Sequence, residues 1–142
     1  MARRPPSPQE GPSFFDAAEE PAVPRLDPRL IVEADGGSRG NPGPAAYGAV
    51  VRDAQTSKIL AAEGLPIGRA TNNVAEYRGL IAGLEMAREL DPTAALEVRM
   101  DSRLVIEQMA GRWKIKQADM KSLALEAARL RPETVTWTWV PR

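Results

Sequence analysis

A stripe of apolar residues at helical spacing, Tyr77, Leu80, Ile81, Leu84 and Ala87, stands between two stretches of strand-like alternation. That arrangement constrains the fold more than any other feature of the chain. Upstream, Leu30 to Asp35 alternates, with Leu30, Val32 and Ala34 on one face and Ile31, Glu33 and Asp35 on the other. Strand patterns follow near 46–53 and 58–66, separated by a polar turn from Asp53 to Ser57, so the first three strands read as an antiparallel meander. The helix opens at Asn72-Asn73, runs to about Leu90 and stops before Pro92. Downstream, Leu96, Val98 and Met100 share one face of a fourth strand. A helical crossover returns the chain parallel to the sheet it left, which sets the fourth strand beside the first. A short helix from Ser102 to about Met109 is stopped by Gly111. A longer one over about 117–131 presents Met120, Leu123, Ala124, Ala127 and Leu130 to a core. The last strand, Val135 to Val140, carries Val135, Trp137 and Trp139 on one side. The order is βββ-α-β-α-α-β, an α/β fold on a mixed sheet.

Residues 1–28 differ from the rest. Seven of the 13 prolines fall there, and aliphatic residues are few. Such a stretch cannot bury enough surface to offset its ordering entropy, so it reads as a disordered tail ahead of a domain over 29–142. Ser13 to Glu20 within it reads as a solvated linker, with a helical turn or a docking peptide as the alternatives. The composition also excludes chemistry. The chain has no Cys and no His, which removes thiolate zinc sites, disulfides, nucleophile–histidine triads and histidine acid–base catalysis. No apolar run approaches the ~20 residues of a membrane span, and the N-terminus lacks a signal-like apolar stretch, so a cytoplasmic place is expected. Net charge is zero; residues 99–131, with 8 basic and 4 acidic side chains, could face phosphates, though such a bias is also common on an ordinary solvated surface.

Catalysis must therefore rest on carboxylates and oxygen-held metal. Asp35 and Asp101 each end a strand, and if those strands are parallel neighbours both emerge at one carboxyl edge, where a crevice opens. Glu76 lies on the first helical turn, four residues before Leu80, with its helix end able to face the strand tips. Three converging carboxylates repel one another and raise each other's pKa unless a cation relieves them; an all-oxygen set suits Mg²⁺ or Mn²⁺. Each residue also has a plainer use. Asp35 before Gly36 suits a turn, Asn73-x-x-Glu76 suits a capping box, and Asp101-Ser102 suits a helix cap.

Four motifs in order carry a resemblance. They are Asp35-Gly36-Gly37-Ser38-x-Gly40-Asn41-Pro42-Gly43-Pro44 with Tyr47-Gly48; Thr71-Asn72-Asn73-x-x-Glu76; Met100-Asp101-Ser102; and Lys116-x-x-Asp119-Met120 with Trp137-x-Trp139-Val140. Over 30–140 the chain resembles the type 1 ribonuclease H family. Asn73-Val74-Ala75-Glu76-Tyr77-Arg78-Gly79-Leu80 is similar to its actinobacterial branch, where the domain is often fused to a C-terminal acid phosphatase. The resemblance implies a ribonuclease H-like, five-stranded mixed sheet of order 3-2-1-4-5. It also implies an endonuclease that hydrolyses the RNA strand of RNA–DNA hybrids, leaving 5′-phosphate and 3′-hydroxyl ends. Asp35, Glu76 and Asp101 would be catalytic and would hold two Mg²⁺ or Mn²⁺ ions, about 3.5–4 Å apart. Asn41, Asn72 and Asn73 would read the minor groove, where the 2′-hydroxyl marks RNA. Thr71 and Ser102 join the substrate-binding set, and Arg103, Trp113, Lys114 and Lys116 would meet the DNA strand. The short 110–117 stretch lacks the longer basic protrusion of some relatives, which implies weaker substrate affinity or dependence on a partner.

The family places a fourth carboxylate, an Asp, on a helix after the last strand, with a mobile loop before it that often carries a His. Neither lies within these residues, so the domain reads as incomplete at its C-terminus. Asp16 and Asp27 are poor substitutes, since both precede the first strand. The rival function is a hybrid-binding module with little catalysis. Loss of the final helix would expose apolar sheet surface, leaving either a monomer or a dimer through that surface.

Overall fold

The computed structural model describes residues 27–142. The tail read over 1–28 lies, apart from Asp27 and Pro28, outside the described residues, as do Asp16 and the Phe14-Phe15 pair. The elements are β1 (Leu30–Ser38), β2 (Gly43–Asp53), β3 (Ile59–Ala70), α1 (Asn72–Leu90), β4 (Leu96–Met100), α2 (Arg103–Met109), α3 (Ala118–Leu130) and β5 (Val135–Trp139). They build one five-stranded sheet in the order β3-β2-β1-β4-β5. β1, β2 and β3 pair antiparallel, while β4 pairs parallel with both β1 and β5. This is the expected ribonuclease H-like mixed sheet.

The meander strands run further than their side-chain patterns suggest. β1 continues past Asp35 through Gly36 and Gly37 to Ser38, because each of those residues has a partner on β2. Pairing overrides the weak strand preference of glycine. β3 likewise passes through Pro66, which the outer edge of a sheet tolerates.

All three helices cover one face. Leu30, Val32 and Ala34 of β1, Val98 and Met100 of β4, Tyr77, Leu80 and Leu84 of α1, Val105 and Ile106 of α2, and Met120 and Ala127 of α3 form a single core. Each large side chain there contributes roughly 1.5–3 kcal/mol by leaving water. The opposite face divides in two. Over β1, β4 and β5 it is polar: Arg52 pairs with Glu33 at 2.8 Å, Arg99 pairs with Glu97 at 3.0 Å, and Thr138 Oγ1 donates to Glu97 at 2.8 Å. Over β2 and β3 it is apolar and small, with Val50, Ala62, Gly48 and Gly64. Val140, beside Thr138 at the β5 edge, is an exposed apolar residue on the polar half. Ile59, Leu60 and Leu65 of β3 are also exposed. No helix among the described residues is long and apolar enough to cross a membrane.

Candidate active site

The β1–β4 pairing ends at Glu33 opposite Arg99, and the same register carried two residues further sets Asp35 opposite Asp101. Beyond that point β1 stays with β2, whereas β4 ends and the chain turns into α2 at Ser102. The strands part there and leave the crevice that the topology predicts. Asp27 precedes β1 at the other end, away from it.

Glu76 reaches this crevice because two glycines let α1 lie close to β1. A Cβ on Gly36 would fall 2.3 Å from the Ala75 carbonyl carbon and 2.6 Å from the Glu76 nitrogen. One on Gly79 would fall 2.9 Å from the Asp35 carbonyl oxygen. The Gly36 N–H then donates to Glu76 Oε1 at 2.6 Å and to Asp35 Oδ1 at 3.0 Å. Gly36 reads as a turn residue in the sequence; in the fold it is a spacer inside a strand. Asp35, Glu76 and Asp101 each offer a carboxylate oxygen, all within 4.8 Å of one another.

The electrostatics follow from that crowding. Glu76 is only 9% exposed. Burial first, then the charges of Asp35 and Asp101, push its carboxyl from the ordinary 4.5 up to about 7, against the Gly36 hydrogen bond. The one cation at the cluster among the described residues is Arg142. Its Nε pairs with Asp101 Oδ2, and its Nη2 lies 3.3 Å from both Asp35 oxygens. The guanidinium drawn into the cluster marks its negative charge, and the all-oxygen donor set suits a hard divalent cation.

The plainer uses of these residues are settled by geometry. Thr71 caps α1, its Oγ1 accepting from Val74 N at 3.2 Å, and Glu76 faces β1 instead of reaching back, so there is no Asn73–Glu76 capping box. Ser102, not Asp101, caps α2 by accepting from Val105 N at 3.3 Å. Asp35 lies inside β1 and is not a turn residue.

The remaining expected site residues flank the carboxylates in two groups. On one side, Asn41 Oδ1 accepts from Asn72 N at 2.9 Å and Asn72 Oδ1 accepts from Ser38 N at 2.8 Å. These bonds latch the 39–42 loop to the start of α1, where Thr71 and the half-buried Asn73 also sit. On the other side, Arg103 of α2 lies over the rings of Trp113 at 5.5 Å and Trp139 at 4.8 Å. Lys114 and Lys116 are exposed on the following loop. Buried Gln108 anchors that loop: it accepts from Tyr77 OH at 2.7 Å and donates to the Lys114 carbonyl at 3.2 Å. Arg142, the Gly36 and Gly79 spacers and the stacking of Trp139 on Arg103 are not visible in the motifs. The alternation puts Trp139 on the helix side of β5, but nothing in it predicts the stack.

Residues 33–142 match the family described as reverse transcriptase-like. The chain is 57% identical over 116 residues to the bifunctional protein Rv2228c of Mycobacterium tuberculosis, a match covering 80% of this chain and 32% of that protein. The solved N-terminal ribonuclease H domain of that protein superposes with a TM-score of 0.78 at 55% identity, covering 82% of this chain and 84% of that one. Ribonuclease HI of Halobacterium salinarum is 44% identical over 116 residues, 80% of this chain and 57% of that protein. LC11-RNase H1, solved in complex with an RNA/DNA hybrid, matches with a TM-score of 0.75 at 37% identity over 80% of this chain and 86% of that one. The fold is that of the ribonuclease H class of proteins. The chain belongs to the ribonuclease H family and spans about a third of the length of the mycobacterial protein it matches.

Proposed function

We propose that this domain hydrolyses the RNA strand of RNA–DNA hybrids, leaving 5′-phosphate and 3′-hydroxyl ends, with Asp35, Glu76 and Asp101 holding two Mg²⁺ or Mn²⁺ ions. The observation that carries the reading is the convergence of the three carboxylates within 4.8 Å at the open end of the parallel β1–β4 pair. Bound divalent ions supply a lowered pKa to the attacking water and charge stabilisation at the leaving 3′ oxygen. The protein's part is to hold the carboxylates in place and seat the substrate over them. Asn41 and Asn72 spend their carbonyl oxygens on the loop–helix latch, and their amide N–H groups take no acceptor among the described residues. Those donors, with Thr71 and Asn73 beside them, suit a 2′-hydroxyl in the minor groove. Ser102, Arg103, Trp113, Lys114 and Lys116 take the DNA strand on the far side, where a basic and aromatic surface suits phosphate and sugar. The solved LC11-RNase H1 complex lends support, since that relative holds an RNA/DNA hybrid. We place the enzyme in the cytoplasm as a monomer.

The test is cleavage of labelled hybrid, duplex RNA and duplex DNA with Mg²⁺ or Mn²⁺. Cutting confined to the RNA strand of the hybrid supports the reading. Binding to the hybrid without cutting overturns it in favour of a recognition module, and cutting of duplex DNA overturns its substrate.

A further inference from the structure

Trp139 closes the short strand β5. It is 40% exposed, so it is not held there by burial. It makes two directed contacts. Its Nε1–H donates to the Asp101 carbonyl oxygen at 3.1 Å, and its ring face carries the Arg103 guanidinium at 4.8 Å. Trp113, 43% exposed, closes on the same guanidinium at 5.5 Å. Arg103 is further steadied by Glu107, whose Oε2 lies 3.4 Å from its Nε. Glu107 also binds Arg112, at the base of the loop that presents Trp113. The Arg103 terminal nitrogens take no acceptor among the described residues, so the stack leaves that end of the fork available.

One indole thus touches both halves of the crevice. Its edge fixes the backbone of a carboxylate residue just past the end of β4, where ladder pairing has stopped; the last β4–β5 pair is Met100 with Trp139 itself. Its face fixes the arm of a cation on α2. Resting on the reading above, we infer that Trp139 is a positioning residue that supports both the ion-binding carboxylate Asp101, through its N–H, and the strand-gripping Arg103, through its ring face. A rigid ring on a strand does this at low entropic cost, since it has two side-chain torsions and both are used.

The two contacts are separable by substitution. Trp139→Phe keeps a ring under Arg103 and deletes the N–H donor. Trp139→Leu deletes both, and Arg103→Gln deletes the cation alone. The probes are Mn²⁺ alone, titrated against free protein by electron paramagnetic resonance, and a short labelled hybrid titrated by anisotropy in metal-free, low-salt buffer. Trp139→Phe is expected to weaken Mn²⁺ binding about tenfold, at the lower end of what supports of a metal ligand cost, with hybrid affinity unchanged. Arg103→Gln is expected to do the converse, weakening the hybrid about two- to fivefold as an exposed cation–π partner would, with Mn²⁺ binding unchanged. Trp139→Leu is expected to weaken both. A merely structural tryptophan would lower the melting temperature of both Trp139 variants and move the two affinities together, which overturns the inference. Mn²⁺ binding by Trp139→Phe equal to wild type also overturns it. Failure of the wild-type domain to prefer hybrid would sink the proposed function separately. The Mn²⁺ comparison of Trp139→Phe with Arg103→Gln would still decide whether the indole supports Asp101.

Discussion

Near the start of β1, Asp53 and Asp91 each accept hydrogen bonds from residues two or three positions further along the chain. Asp53 Oδ1 accepts from Thr56 N at 2.9 Å and Gln55 N at 2.8 Å, and these backbone hydrogen bonds hold its carboxyl below the usual range. Asp91 ends α1, accepts from the backbone and hydroxyl of Thr93 at 3.1 Å, and pairs with Arg29 at 3.2 Å. Its carboxyl is lowered too, chiefly by the Thr93 N–H. At the other end of β1, Asp35 and Glu76 share one backbone donor, Gly36 N–H, and Arg142 reaches both Asp101 and Asp35; these are the donors to the three carboxylates among the described residues. The difference is one of donors. A carboxylate supplied with local N–H groups is a finished turn or cap. Carboxylates left facing each other are unfinished until a cation joins them.

The sharpest way to break this comparison is to swap charge for amide at both ends. Asp35→Asn or Asp101→Asn is expected to lower hybrid cleavage by at least about 100-fold, more than outer-shell supports of a metal site cost. Asp53→Asn and Asp91→Asn are expected to leave cleavage unchanged and lower the melting temperature. Equal loss of cleavage at both ends would end the distinction. Next in size is Gly36→Ala. The new Cβ would sit within 2.6 Å of the α1 backbone at Ala75 and Glu76, which cannot move aside without moving the helix. The expected cost is about 1–3 kcal/mol in urea unfolding, together with weaker Mn²⁺ binding. Stability unchanged by Gly36→Ala would mean that α1 is not pinned to β1 there.

A third test uses pH on the metal-free protein. Glu76 titrates at about 7 when folded against 4.5 ordinarily, so the folded state holds its proton more tightly than the unfolded one. For a carboxyl raised in this way, its full contribution to stability is present below the unfolded value and fades as pH rises through about 7. The melting temperature of metal-free protein is therefore expected to fall between pH 4.5 and 7 relative to Glu76→Gln, which lacks the titration. Added Mg²⁺ should remove the slope in the wild type only. Identical pH profiles for the two proteins would show that burial of Glu76 carries no cost.

The element order, the parallel β1–β4 pair and the three carboxylates were legible in the sequence because each depends on local periodicity or strand-end position. The α1 stripe and the Leu96, Val98, Met100 alternation announce burial directly. What was not legible depends on approach between distant segments. Gly36-Gly37-Ser38 reads as a turn because glycine has no packing preference to reveal that β2 pairs with it. The Asn73–Glu76 capping box fits the local sequence, but Gly36 N–H offers Glu76 a half-buried donor 40 residues away. Nothing local marks Trp139 as the partner of Arg103 on another element.

Arg142 gives the smallest expected effect and bears most directly on the comparison, because it is the cation that the carboxylate end recruits from the chain itself. Its guanidinium bridges Asp101 and Asp35, so any ion binding those oxygens competes with it. The side chain is mostly exposed, and an exposed ion pair is weak. Removing it by Arg142→Ala is expected to tighten Mn²⁺ binding by about two- to fivefold. The gain should shrink as salt rises, since screening already weakens the contact. Arg142→Lys should fall between, keeping the charge without the fork that spans two carboxylates. Weaker Mn²⁺ binding in Arg142→Ala would reverse the assignment. Arg142 would then hold Asp35 and Asp101 at the spacing the ions need, and the carboxylate end of β1 would be finished by a side chain, as the other end is by backbone.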